Sequence, residues 1–74
     1  MIKHMKYAVV IEKGPSSYGA YVPDLPGCVA AAKSRKDVVK LIQEAIELHL
    51  EGMKEHGDKI PRAASSVEIV EVAA

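Results

Sequence analysis

The sequence contains no tryptophan and no phenylalanine, and its aromatic residues are Tyr7, Tyr18 and Tyr21. A core built without large rings must be assembled from aliphatic side chains and buries correspondingly little area. There is a single cysteine, Cys28, so no disulfide within the chain can staple a small fold together. No run of 18 apolar residues is present, which argues against a helical membrane span, and Met1 to Lys6 lack the long apolar stretch of a secretory signal. Ten Lys and Arg against ten Asp and Glu cancel to a net charge of zero, leaving no overall field to gather phosphate backbones. A cytoplasmic location fits these absences together with the free thiol. The 74 residues leave room for one domain, 1–74, with a thin core, and self-association is the remaining route to firm stability.

What the chain does have is a clear alternation of β-prone runs and turn residues. Residues 5–13, MKYAVVIEK, are rich in β-branched side chains and end at the turn cluster Gly14-Pro15-Ser16-Ser17. Tyr7, Val9 and Ile11 share one face of this predicted strand, Ala8 and Val10 the other. Both faces are apolar at the centre, as expected of a strand covered on both sides by a helix and another protomer. Residues 18–23 read as a second strand, joined to the first by a connection short enough for an antiparallel hairpin.

The stretch YVPDLPGC, residues 21–28, closes that strand with two prolines, a glycine and the cysteine. Pro23 cannot donate to a ladder and Pro26 fixes its own φ, so the chain is expected to leave the sheet here, or to keep the Pro23 nitrogen facing away from a partner strand, then turn at Gly27 and enter a third strand over 28–33. The small side chains of that strand, Val29-Ala30-Ala31-Ala32, invite a helix to pack closely.

Ser34 is a suitable helix N-cap and Asp37 places a carboxylate in the first turn, so a helix is predicted from Arg35 to about His56, stopped by Gly57. At 100° per residue, Leu41, Ala45, Val38, His49, Ile42, Met53, Ile46, Val39 and Leu50 fall in one continuous apolar arc with Leu48 at its far edge. An arc of roughly 200° is wider than one sheet face requires. The edge carrying Val39, Ile46 and Leu50 is the candidate oligomer interface. Residues 57–65 read as a loop and 66–72 as a final strand. In that strand Val67 and Ile69 share one parity, Val70 and Val72 the other, which implies a bulge, an exposed apolar edge or a strand covered on both faces. The predicted architecture is α+β, in the order β-β-β-α-β, with one long helix packed on an antiparallel sheet.

Residues able to do chemistry are sparse. Cys28 lacks the flanking signature of a nucleophilic or redox cysteine and reads as a small buried hydrophobe. His49 and His56 are seven apart, which suits one metal ion less well than a four-residue spacing, and His49 reads as a half-buried ring bonded to a backbone carbonyl. Glu44, Glu47, Glu51 and Glu55 fall on the polar side of the helix, away from any convergent two-metal arrangement. No phosphate cradle, Ser-His-Asp order or H-E-x-x-H motif is present. The reading is therefore of a non-enzyme with no cofactor and no metal. Lys33, Arg35 and Lys36 at the strand-to-helix junction are the candidate nucleic-acid contact, and with them comes an alternative reading as an orphan oligomeric module that binds RNA or protein.

MKYAVVIEK, then YGAYVPDLPGCVAAAKS, then the helix RKDVVKLIQEAIELHLEGMKEHG and the tail KIP together resemble the HicB-like antitoxin family. PDLPGC is the most specific of these signals, supported by Glu44-Ala45-Ile46 and by Gly57 to Pro61. The resemblance implies a reduced ribonuclease H-like fold without catalytic carboxylates. It also implies the role of antitoxin in a type II toxin–antitoxin pair, whose partner is a small HicA-like ribonuclease that cleaves messenger RNA, and self-association into dimers or tetramers. Relatives often append a DNA-binding domain; this chain ends at Ala74 and direct DNA binding is not expected of it. Tyr18, Tyr21, Asp24 and Leu25 are the candidate partner contacts, while Pro23, Gly27 and Cys28 are read as structural.

Overall fold

A computed structural model describes residues 4–74; the part of the signal-peptide reading that falls on Met1 to Lys3 lies outside the described residues. Three strands, β1 (Val10–Lys13), β2 (Tyr18–Tyr21) and β3 (Val29–Ala32), form an antiparallel meander in the order β1-β2-β3, and one helix, α1 (Arg35–Glu55), lies across it. The α+β class read from the sequence is what the chain adopts. Each strand is shorter than its predicted run, because pairing is set by register and stops where the prolines of the 22–28 loop begin.

Register decides which side chains meet the helix. Ile11 pairs with Ala20 and Ala20 with Ala30, so Ile11, Ala20 and Ala30 share the helix-facing side. Val10 pairs with Tyr21 and Tyr21 with Val29, so these three form a cross-strand row on the opposite face. Among the described residues the core comprises Ala20, Val22, Leu25, Cys28, Val38 and Ile42, with Tyr7, Val9, Tyr18 and Ala45 among those packed around it.

The helix begins where Ser34 places its hydroxyl to accept the Asp37 N–H at 3.1 Å, a cap that contributes about 1 kcal/mol. It ends in a Schellman turn: the Asp58 N–H donates to the Met53 carbonyl and the Gly57 N–H to the Lys54 carbonyl. This closure needs a left-handed residue, which Gly57 supplies at φ +73°. Val38 and Ile42, one turn apart, are the helical side chains fully enclosed, each stabilising the fold by about 1.5–3 kcal/mol through burial.

One predicted element is absent. Residues 66–72 form no strand, and Val67, Ile69, Val70 and Val72 all stand exposed. The cause lies just before them. The Tyr7 hydroxyl donates to the Pro61 carbonyl at 2.6 Å, and Asp24 then accepts the Ala64 and Ser65 N–H groups at Oδ2 and the Ser65 hydroxyl at Oδ1, each at 3.0 Å. These bonds carry the chain past the start of β1 to the loop beyond β2, away from the free edge on which a fourth strand would pair.

Candidate partner-binding surface

The 22–28 loop is two overlapping turns. The Leu25 N–H donates to the Val22 carbonyl at 3.1 Å and the Cys28 N–H to the Leu25 carbonyl at 3.0 Å, while the Val22 N–H reaches the Cys28 carbonyl at 3.2 Å. Pro23 and Pro26 each occupy the second position of a turn, where no N–H is required and a fixed φ is an advantage. Gly27 occupies the third position of the second turn at φ +85°, the conformation that position demands and that other residues resist. Leu25, at the junction of the turns, is driven inward to 1% exposure.

This geometry re-sorts the four candidate contacts. Leu25 is a core residue, and its side chain is enclosed where a partner cannot reach it. Tyr18 lies on the helix side of β2, level with Lys13 and Ala32, and packs against the core. Asp24 is half-buried and already bonded to residues 64 and 65. Tyr21 alone of the four presents its ring outward as free surface, 41% exposed between Val10 and the 64%-exposed Val29. Sequence reasoning left Val29 out because a single β-branched residue in an alanine run carries no sign of which face it takes until register is known.

The helix flanks are likewise open. Val39 is exposed, with Ile46 and Leu50 half-buried, and these side chains face Val9 and Ile11 across an open groove. The opposite flank, Leu41 and Leu48, is also exposed and was not singled out from the sequence. Lys33, Arg35 and Lys36 are all exposed around the helix N-terminus, where the Ser34 hydroxyl occupies the Asp37 N–H. His49 is half-buried, but the imidazole bonded to a carbonyl is that of His56, whose Nδ1 lies 2.8 Å from the Gly52 oxygen. Among the described residues no group of three or more His, Cys, Asp and Glu converges as a metal ligand set, and no helix is long and apolar enough to cross a membrane.

The titratable groups of the loop behave as their surroundings dictate. The Ser65 N–H, with the Ser65 hydroxyl and the Ala64 N–H, holds the Asp24 carboxyl below the ordinary aspartate range against some opposing desolvation. A depressed carboxylate contributes stability that is present above its unfolded pKa, about 3.9, and is lost as pH falls through the folded value. The clamp on residues 64 and 65 is therefore expected to hold at neutral pH and release in acid. Amide chemical shifts of Ala64 and Ser65 should move together on titration below pH 4, and Asp24→Asn should abolish that transition. Burial, and to a lesser degree the Asp24 charge, raise the Tyr7 hydroxyl pKa, keeping it a donor to Pro61.

Burial also pushes the Cys28 thiol up, so at neutral pH it is protonated and a poor nucleophile. Its reaction with a soluble aromatic disulfide at pH 8 is expected to be slow in the folded protein and to accelerate on adding urea; fast labelling without denaturant would contradict the buried placement.

A model of the family described as "HicB_like antitoxin of bacterial toxin-antitoxin system" matches residues 7–73. The chain belongs to the HicB-like antitoxin family. It is 45% identical over 71 residues to a UPF0150 protein of Archaeoglobus fulgidus, covering 92% of this chain and 96% of that one. It is 44% identical over 59 residues to a UPF0150 protein of Thermoplasma acidophilum, covering 78% and 86%. A 14.9 kDa protein from the rep-hol intergenic region of Haemophilus phage HP1 is 37% identical over 59 residues, which span 80% of this HicB-like chain but 44% of the phage protein. No solved structure matches. Within this HicB-like domain PDLPGC has a physical role at every position: two turn-forming prolines, a clamp carboxylate, a core leucine, a left-handed glycine and a small buried cysteine.

Proposed function

We propose that the chain is a non-catalytic inhibitor, the antitoxin of a type II toxin–antitoxin pair, which binds a small HicA-like ribonuclease and keeps messenger RNA from its active site. The observation that carries this reading is the antitoxin family match across residues 7–73. The geometry supports it by presenting an apolar cross-strand row, Val10-Tyr21-Val29, on a sheet face that no helix or strand among the described residues covers. A tyrosine centred in such a row gives large contact area at little entropic cost, the usual character of a binding hot spot. On this reading the protein works in the cytoplasm, needs no cofactor, and self-associates through surfaces that include Val39, Ile46 and Leu50.

The test is co-expression with a small HicA-like protein encoded beside this gene. Restored growth and a stable purified complex are expected. A neighbouring toxin that stays lethal beside well-folded chain would overturn the reading.

A further inference from the structure

The flank of α1 turned away from the β1 groove carries a second pattern. Leu41, Ala45, Leu48 and Gly52 recur at alternating intervals of four and three residues, the spacing that gathers side chains into one seam along a helix. Large and small residues alternate in it, so leucine knobs stand beside shallow holes at Ala45 and Gly52. Leu41 is exposed and Leu48 is 70% exposed, and no helix or strand among the described residues covers them.

Gly52 is the residue that the protomer does not explain. Glycine inside a helix weakens it relative to alanine. It is required where φ must be positive or where another backbone or side chain must come close. Neither condition holds within the chain: Gly52 is helical without a positive φ, and a Cβ built on it would meet no atom within 4 Å. The hole opens outward, one turn beyond Leu48, the most exposed hydrophobic residue of α1. A helix of another molecule laid along the seam is what such a hole admits.

Charge says what kind of helix. Asp37, Glu44, Glu51 and Glu55 line the outer margin of the seam and are exposed, while Lys36, Lys40 and Lys54 lie further round the back of α1. A second copy fits this margin badly. Paired antiparallel, it sets Leu41 over Gly52 but brings Glu44 of each copy beside Glu51 of the other. Paired parallel, it sets hole against hole and leucine against leucine. A helix with lysine or arginine along its facing margin meets the carboxylates with opposite charge instead.

We propose that this flank is a docking surface for a basic amphipathic helix of a protein partner. The partner's alternating small and leucine side chains interlock with Leu41, Ala45, Leu48 and Gly52, and its cations face Glu44 and Glu51. The surface is separate from the Val10-Tyr21-Val29 row and from the groove beside β1, so the inference goes beyond the antitoxin reading and does not rest on it.

The experiment titrates the full isotope-labelled chain with two synthetic helical peptides that share one leucine-alanine seam, one flanked by lysine and the other by glutamate. Saturable binding of the lysine peptide is expected, weakening with added salt, with the largest amide shifts at Leu41, Ala45, Leu48 and Gly52. Gly52→Gln fills the hole with a better helix former, so its urea midpoint should equal or exceed that of wild type while peptide affinity falls by at least on the order of tenfold. The double variant E44K/E51K should reverse the preference and take the glutamate peptide over the lysine one. Failure of the lysine peptide to bind, equal binding of both peptides, shifts centred on another face, or a Gly52→Gln chain that binds as tightly as wild type would each overturn the proposal. So would a dimer that Leu48→Asp dissociates, since a second copy would then occupy the seam. Peptide binding by a chain that fails to protect cells would remove the antitoxin reading and leave this surface standing; protection without peptide binding would do the reverse.

Discussion

Leu25→Ala is expected to remove most of the fold's stability at 25 °C. Leu25 is 1% exposed and sits where the two turns of the 22–28 loop meet, so truncation opens a cavity that the prolines on either side prevent from collapsing. Buried leucine truncations cost about 2–5 kcal/mol. A 74-residue domain without large aromatic rings starts near the lower end of the roughly 5–15 kcal/mol typical of folded domains. Urea titration followed by the helical circular dichroism signal should show the midpoint lost or moved far down, while Leu25→Met, which nearly conserves volume, should cost less than about 1.5 kcal/mol. An unchanged midpoint for Leu25→Ala would mean that the loop is not seated in the core.

The second large effect concerns function without fold. Tyr21→Asp combined with Val29→Asp places two charges in the outward row, and if that row seats the toxin, neutralisation on co-expression should disappear. Both side chains are substantially exposed, 41% and 64%, so each change should shift stability by less than about 1 kcal/mol. Normal helix content with lost protection is the expected pair of results. Full protection by the double variant would move the toxin contact elsewhere, and the Leu41-Leu48 flank of the helix would be the next surface to alter.

The sequence carried most of the local structure because local rules were sufficient for it. Ser34 as N-cap, Gly57 as the left-handed stop and the turn after Lys13 each follow from local backbone preferences. The α+β meander with its helix followed from the order of those signals. What stayed hidden depended on register and on contacts across many residues. Tyr18 and Tyr21 look equivalent in the chain, yet three positions apart on a strand they take opposite faces, and only Tyr21 faces out. Leu25 looked like a surface residue of a polar loop until the two turns folded it inward. Asp24 looked available, and its use by residues 64 and 65 is a contact across about 40 positions that no short pattern encodes. The same clamp is why a stretch with every local mark of a strand has no strand partner in its own chain.

The meander also has a bearing on the order in which the molecule assembles. Each strand pairs with its immediate successor, and the helix follows the third strand after two residues, so the ladder contacts and most helix contacts close short loops. Topologies of low contact order fold quickly. The bonds from Asp24 to residues 64 and 65 close a much longer loop and carry a correspondingly larger entropic penalty. Sheet and helix therefore form first and the tail is fastened last, leaving an interval in which a β-prone end is loose on an otherwise finished protein.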